Sequence, residues 1–167
     1  QKSLRLIARG GYGADAIAYP VFPDLEVTNF ERLVLRNAGN DWCRSMLRDG
    51  LAHHLVQSLG LETQAYRPAR VYLNGTYWGL YNIREKIDRF YLEDPLGIDP
   101  EEIDMLEGRQ EVMEGDAEHY EALLAFLRSH DLSNDDAFAQ VAEMIDVENF
   151  AAYYITRIFY ANTDWPG

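Results

Sequence analysis

The Asn-Gly pair at positions 74 and 75 constrains this chain more than any other two residues. It stands between two runs rich in aromatic and β-branched residues, inside the eighteen-residue stretch from Val71 to Asp88. Both residues tolerate the positive backbone dihedrals of a tight primed turn, so the flanking runs predict a β-hairpin with strands over 65–73 and 76–83. The second strand runs out through Arg84, Glu85, Lys86 and Asp88. Such a charge run has two readings, a solvated strand exit or the edge of a site.

At 167 residues the chain can bury a real core, as one domain or two small lobes. No apolar run approaches the roughly 20 residues of a membrane span, and no signal-peptide pattern precedes the first strand. The chain opens on Gln1, not Met, and reads as an excised piece whose leader could have been lost. Its single Cys43 excludes an internal disulfide and argues against a cysteine-built zinc site.

The net charge of −13 is unevenly placed. Up to Leu92, twelve Lys and Arg oppose nine Asp and Glu, a net of +3; from Glu93 onward three Arg oppose nineteen acids, a net of −16. An acidic second half disfavours a nucleic-acid backbone as partner, while the first half can hold a small anion.

Along the chain, Ser3 to Ala8 alternates as a strand and ends in Arg9-Gly10-Gly11-Tyr12-Gly13. Three glycines in four positions let the backbone approach something closely, either a phosphate or the next strand. Tyr19-Pro20-Val21-Phe22-Pro23 reads as extended or turning, because proline interrupts regular pairing. Arg32 to Arg36 is a short apolar strand, and Asn37 to Asn40 a turn. A helix is then expected from an Asp41 cap to a stop at Gly60, with Cys43, Met46, Leu47, Leu51, Leu55 and Leu59 at helical spacing. His53 and His54 are adjacent, so they point to different sides and make no paired metal ligand.

After the hairpin, a short helix is expected over 86–92 and a short strand over 103–106. Three helical patterns follow: 116–128, a segment capped by Ser133, and a last helix opened by Asp146 in which Phe150, Tyr153, Tyr154, Ile158 and Phe159 are expected to pack inward. A mostly β half carrying one helix, followed by a helical acidic half, is an α+β arrangement of two lobes.

Several stretches stand out together: Lys2-Ser3-Leu4-Arg5-Leu6, Tyr12-Gly13, Tyr19-Pro20-Val21-Phe22, Leu33-Val34-Leu35-Arg36-Asn37 with Asp41, and Arg48-Asp49. They continue with Leu73-Asn74-Gly75-Thr76-Tyr77-Trp78-Gly79-Leu80-Tyr81, Glu85-Lys86-Ile87-Asp88 and Asn162-Thr163-Asp164-Trp165. In this order, from end to end, they resemble the spore coat protein H family, the CotH kinases, which are atypical protein-kinase-like domains. The resemblance implies an atypical protein-kinase-like two-lobed fold. Residues 1–92 would form the β-rich first lobe with its one helix, and 93–167 a helical second lobe truncated at the catalytic loop.

The resemblance also implies roles. Arg9, Gly11 and Gly13 would belong to a flap over ATP phosphates. Arg36 would be the phosphate-binding cation, with Asp49 its ion-pair partner, and a purely structural ion pair is the competing reading of those two. Glu85 and Lys86 would meet the nucleotide at the hinge between lobes. Asp164 would be the catalytic carboxylate, accepting the substrate hydroxyl's proton or organising Mg²⁺, because phosphoryl transfer is mostly positioning and charge neutralisation. The family pattern continues beyond Asn-Thr-Asp-Trp with asparagines and an Asp-x-Asp motif, so this piece is expected to be inactive alone. The implied whole is an ATP- and Mg²⁺-dependent kinase of Ser or Thr in secreted or spore-coat proteins at a bacterial surface. The alternatives are a non-catalytic pseudokinase-like module and, on weaker grounds, a carboxylate-based hydrolase, since the acids' spacing fits solvated helix faces.

Overall fold

The runs on either side of Asn74-Gly75 pair with each other in the computed structural model, which describes residues 2–108 and 110–163. Asn74 and Gly75 take φ of 50° and 79°, the left-handed values of a primed turn, and join β5 (Tyr66–Leu73) to β6 (Thr76–Glu85). The register shifts between Val71 and Tyr72, opposite Gly79 at φ 151°. A φ of that value is one that residues with a Cβ rarely adopt, and a bulge increases the local twist of the strand.

β1 (Leu4–Ile7) and β4 (Arg32–Arg36) complete an antiparallel sheet in the order β1-β4-β6-β5. Within β4 the period of two is plain: Leu33 and Leu35 are buried while Arg32 and Arg36 are exposed. A two-stranded ribbon of β2 (Ile17–Ala18) and β3 (Asn29–Phe30) was not foreshadowed by any long alternating run. The core forms from Val21, Phe22, Phe30 and Leu33, with Ile17, Leu25, Val27, Ala65 and Ile83 packed around it. Phe22 meets Phe30 edge-to-face at 5.5 Å, the arrangement that ring quadrupoles favour. The stretch read as merely extended therefore supplies the core's aromatic centre, held in place by Arg67 donating to the Val21 carbonyl at 2.7 Å.

The first helix is shorter than its leucine spacing predicts. α1 runs Arg48–Val56, followed by a 3-10 turn at Gln57–Leu59, and residues 41–47 are not α-helical. Met46 sits at φ 58°, which an α-helix cannot accommodate, so the chain turns there and starts the helix afresh. Asp41 still satisfies a helix-start donor, from seven residues upstream: its carboxylate accepts from the Arg48 amide at 3.2 Å and from the Ser45 hydroxyl at 2.7 Å. Gly50 is buried against Tyr66, where an added Cβ would lie 2.6 Å from the ring. Glycine there lets α1 approach the sheet.

Contacts divide the chain into two compact units, Gln1–Ser58 with Glu62–Ile87 and Leu59–Leu61 with Asp88–Gly167. The second unit contains α2 (Arg89–Leu96), a small hairpin of β7 (Met105–Glu107) and β8 (Glu111–Glu114), and helices α3 (Glu118–Ser129), α4 (Asp135–Met144) and α5 (Val147–Phe159). Leu123, Ala137 and Val141 are its buried apolar residues on α3 and α4. Asn134, not Ser133, caps α4, accepting from Asp136 and Ala137, while Asp146 caps α5 as expected. The expected inward face of α5 is exposed instead, Phe159 to 80 % and Phe150 and Ile158 also open. Helical periodicity identifies which residues share a stripe, not what covers it. Among the described residues no helix is long and apolar enough to cross a membrane.

Candidate functional site

Strand alternation brings a first set of candidate side chains to one face of the sheet. Arg36 pairs with Asn82 and Val34 with Arg84 across β4 and β6, so Arg36, Asn82 and Arg84 share the face on which α1 lies. The Asn82 side chain donates to the Met46 carbonyl at 3.1 Å, which fastens the turn before α1 to that face. Asp49, in the first turn of α1, meets both arginines. One oxygen lies 2.9 Å from Arg84 and the other 3.6 Å from Arg36. The expected Arg36–Asp49 pair is therefore present, but Arg84 holds the shorter half of it.

These three groups differ sharply in exposure. The Arg84 side chain is wholly buried, while those of Arg36 and Asp49 are 50 % and 38 % exposed. Burial pushes the Arg84 guanidinium below its ordinary range, and Asp49 acts in the opposite direction, with Glu85 adding to it. A second arm of Arg84 donates to Gln64 at 3.4 Å, and its centre lies 5.9 Å from the Tyr66 ring. Tyr66 is pushed above its usual range first by burial, an effect Arg84 partly offsets. His53 accepts from the Gln64 amide at 3.1 Å through Nδ1 and turns Nε2 toward Asp49 at 3.9 Å, so it joins the cluster as a structural tie.

The remaining predicted residues gather elsewhere in the same unit. Arg9 and Lys86 line a groove of about 280 Å³. Arg5 and Arg32 join them with one acid, Glu31, so the lining carries four cations against one carboxylate. Arg36 and Asp49 are not among the lining residues. Gly11 and Gly13 follow β1 in a 3-10 turn at Gly10–Tyr12, where the Gly13 amide donates to the Gly10 carbonyl at 3.3 Å. A Cβ at either position would meet no atom within 4 Å, and Gly13 alone needs glycine, for its φ of 139°. The glycines accordingly allow no close approach of the neighbouring strand.

Glu85, expected to meet a nucleotide at the hinge, is engaged with backbone and side chain at the entry of β5. Its carboxylate accepts from the Ala65 amide at 2.7 Å, and its carbonyl accepts from the Gln64 side chain at 2.7 Å, so it fastens the entry of β5 to the exit of β6. Lys86 donates to the Ile87 carbonyl. Asp164, the expected catalytic and metal-binding carboxylate, lies outside the described residues. Among the described residues no three His, Cys, Asp or Glu gather to hold a metal ion.

Sequence reasoning missed Arg84, Arg5 and Arg32. Arg84 was in view as part of the charge run after the hairpin. The signal that singles it out is parity: two residues from Asn82 in an alternating strand, it must lie on the face of Arg36. Chemically, the unit offers donor groups for an anion, through the half-exposed guanidinium of Arg36 and the cationic groove.

A family model described as CotH kinase protein matches residues 1–167, the whole chain. No curated protein and no solved structure gives a match.

Proposed function

The chain belongs to the CotH kinase family, and from that premise we propose that its first unit binds the phosphates of ATP. The observation that carries this is Arg36, a half-exposed guanidinium at the end of β4 whose position is set by Asp49 on α1. A guanidinium held in that way presents N–H donors in a planar fork that matches phosphate oxygens. The residues present fit such a group. Arg9, Arg5, Arg32 and Lys86 supply further positive charge at a groove of the same unit that Arg36 does not line, and Gly11 and Gly13 leave backbone open to a ligand's approach.

When bound, ATP would supply the phosphoryl group and Mg²⁺ would neutralise charge on its oxygens. The chain's own residues orient and bind. Arg36 holds phosphate oxygens, Asp49 fixes the direction of Arg36, and Asp164 accepts the proton of the substrate hydroxyl or would supply one of the one or two carboxylates by which Mg²⁺ is commonly held in phosphate sites. In this reading the α+β fold is a kinase-like two-lobed one. The acceptor is a Ser or Thr hydroxyl of a secreted or spore-coat protein at a bacterial surface, and no nucleic acid takes part.

Titration of the chain with ATP, with and without Mg²⁺, tests the binding step. Arg36→Gln is expected to weaken binding about tenfold, the loss of one charge-assisted contact. Wild-type chain that ignores ATP at millimolar concentration, or an Arg36→Gln variant that binds as wild type does, would overturn it. For the chemistry, Asp164→Ala in the full-length protein should abolish phosphate transfer to protein while leaving ATP binding largely intact.

A further inference from the structure

Asp49 carries one negative charge and serves two guanidiniums, and the two are not equivalent. Arg84 is wholly buried and lies 2.9 Å from the carboxylate, whereas Arg36 is half exposed and lies 3.6 Å away. A buried cation without a counter-charge is costly, so the claim of Arg84 on Asp49 is the stronger one. The other carboxylate that enters the electrostatics of Arg84 is Glu85, which stands at the next position of β6 and so belongs to the opposite face of the sheet. A simple Arg36–Asp49 pair would be neutral and would repay an incoming anion little. With Arg84 added, two guanidiniums on that face share the one carboxylate of Asp49, and the exposed one of the two is Arg36.

We infer that Arg84 is a positioning residue that neutralises Asp49 from within the sheet, so that the charge of Arg36 is left available to a polyphosphate anion. This deepens the proposed nucleotide reading and rests on Arg36 meeting an anion. Geometry supports it from both sides. Strand register places Arg84 and Arg36 on one face, and Gly50, the next residue after Asp49, lets the helix come close enough for Asp49 to reach a buried partner. Arg84 is also oriented independently of Arg36, by Gln64 and over the Tyr66 ring.

The test measures affinity for two probes, inorganic tripolyphosphate and ATP, on the full chain at fixed ionic strength. Arg84→Met keeps much of the side chain's bulk and removes its charge, so Asp49 turns wholly to Arg36. Affinity for tripolyphosphate is expected to fall about three- to tenfold although Arg36 is untouched. The double variant Arg84→Met with Asp49→Asn removes both charges while the asparagine oxygen still faces Arg36, and it is expected to recover part of that loss. A purely structural Arg84 would alter thermal stability and leave both affinities alone, which would overturn the inference. So would a double variant no tighter than the single one. Should Arg84→Met fail to fold, Arg84→Gln takes its place, a loss of tripolyphosphate affinity of about three- to tenfold supporting the inference and an unchanged affinity overturning it. The expected pattern with tripolyphosphate but no binding of ATP would uphold the role of Arg84 and sink the nucleotide reading. Tripolyphosphate binding that is indifferent to Arg36→Gln would sink both.

Discussion

Asp41 shows how one side chain can do the work expected of a whole helical turn. Sequence alone makes it the cap of a helix that begins at once; the structure uses it to gather a loop whose helix begins at Arg48. The Ser45 hydroxyl holds the carboxyl below its ordinary 3.8, and the Arg48 amide also lowers it, against the opposing effect of burial. A depressed carboxyl stabilises the fold above its unfolded-state value, and that stabilisation is lost as pH falls through the folded-state value. Asp41→Asn should therefore lower the Tm at pH 7, and the gap to wild type should close on acidification below about pH 4. Melts followed by circular dichroism at both pH values check this; a gap of constant size would mean that the charge of Asp41 contributes nothing. Residue-scale legibility was uneven for a physical reason. Arg36 and Asp49 were readable as a pair through the family resemblance, which implies a phosphate-binding cation on that strand and its ion-pair partner on the next helix. Arg84 was not, because whether a charged residue at a strand exit is solvated or buried depends on what packs over it.

At the scale of elements, local chemistry carried most of the reading. The turn at Asn74-Gly75, the strand at Arg32–Arg36 and the Asp146 cap all follow from interactions within a few residues, and all stand in the structure. Where the reading slipped, a neighbouring choice of nearly equal energy existed. Ser133 and Asn134 are both good caps, and the chain uses Asn134, whose side chain accepts from two amides, Asp136 at 2.8 Å and Ala137 at 3.2 Å. Asn134→Ala should cost about 1 kcal/mol, measured as a shift of the denaturant midpoint at unchanged slope. A shift indistinguishable from zero would show that other groups take over the cap. The leucines at 47, 51, 55 and 59 kept helical spacing, yet all four are exposed and only part of the run is helix. Spacing is a statement about angle around an axis, and Met46 at φ 58° shows that backbone strain can be accepted where a turn gains enough elsewhere.

For the molecule as a whole, charge is the property that sequence displays most directly. The chain carries −13 overall, yet the described groove in the first unit is lined by four cations and one acid. Local attraction acts over a few ångströms, whereas repulsion from distant acids is screened beyond roughly 8 Å at physiological salt. Affinity for tripolyphosphate should therefore fall as salt rises, by severalfold between about 0.05 and 0.5 M, read by titration across a salt series. An affinity that rises with salt would mean that long-range repulsion, not the local cations, governs binding. Family membership and the α+β composition were both legible from the ordered motifs, because motif order and hydrophobic period are properties of the chain itself. So were the hairpin and the identity of the arginine and aspartate that meet beside it. Tertiary structure alone decided that Phe22 and Phe30 centre the core, that Glu85 is bound to backbone and that Asp49 is shared with a buried Arg84. Each of these is a contact between residues more than seven positions apart, and its energy depends on burial, which is set by the packing of several elements at once.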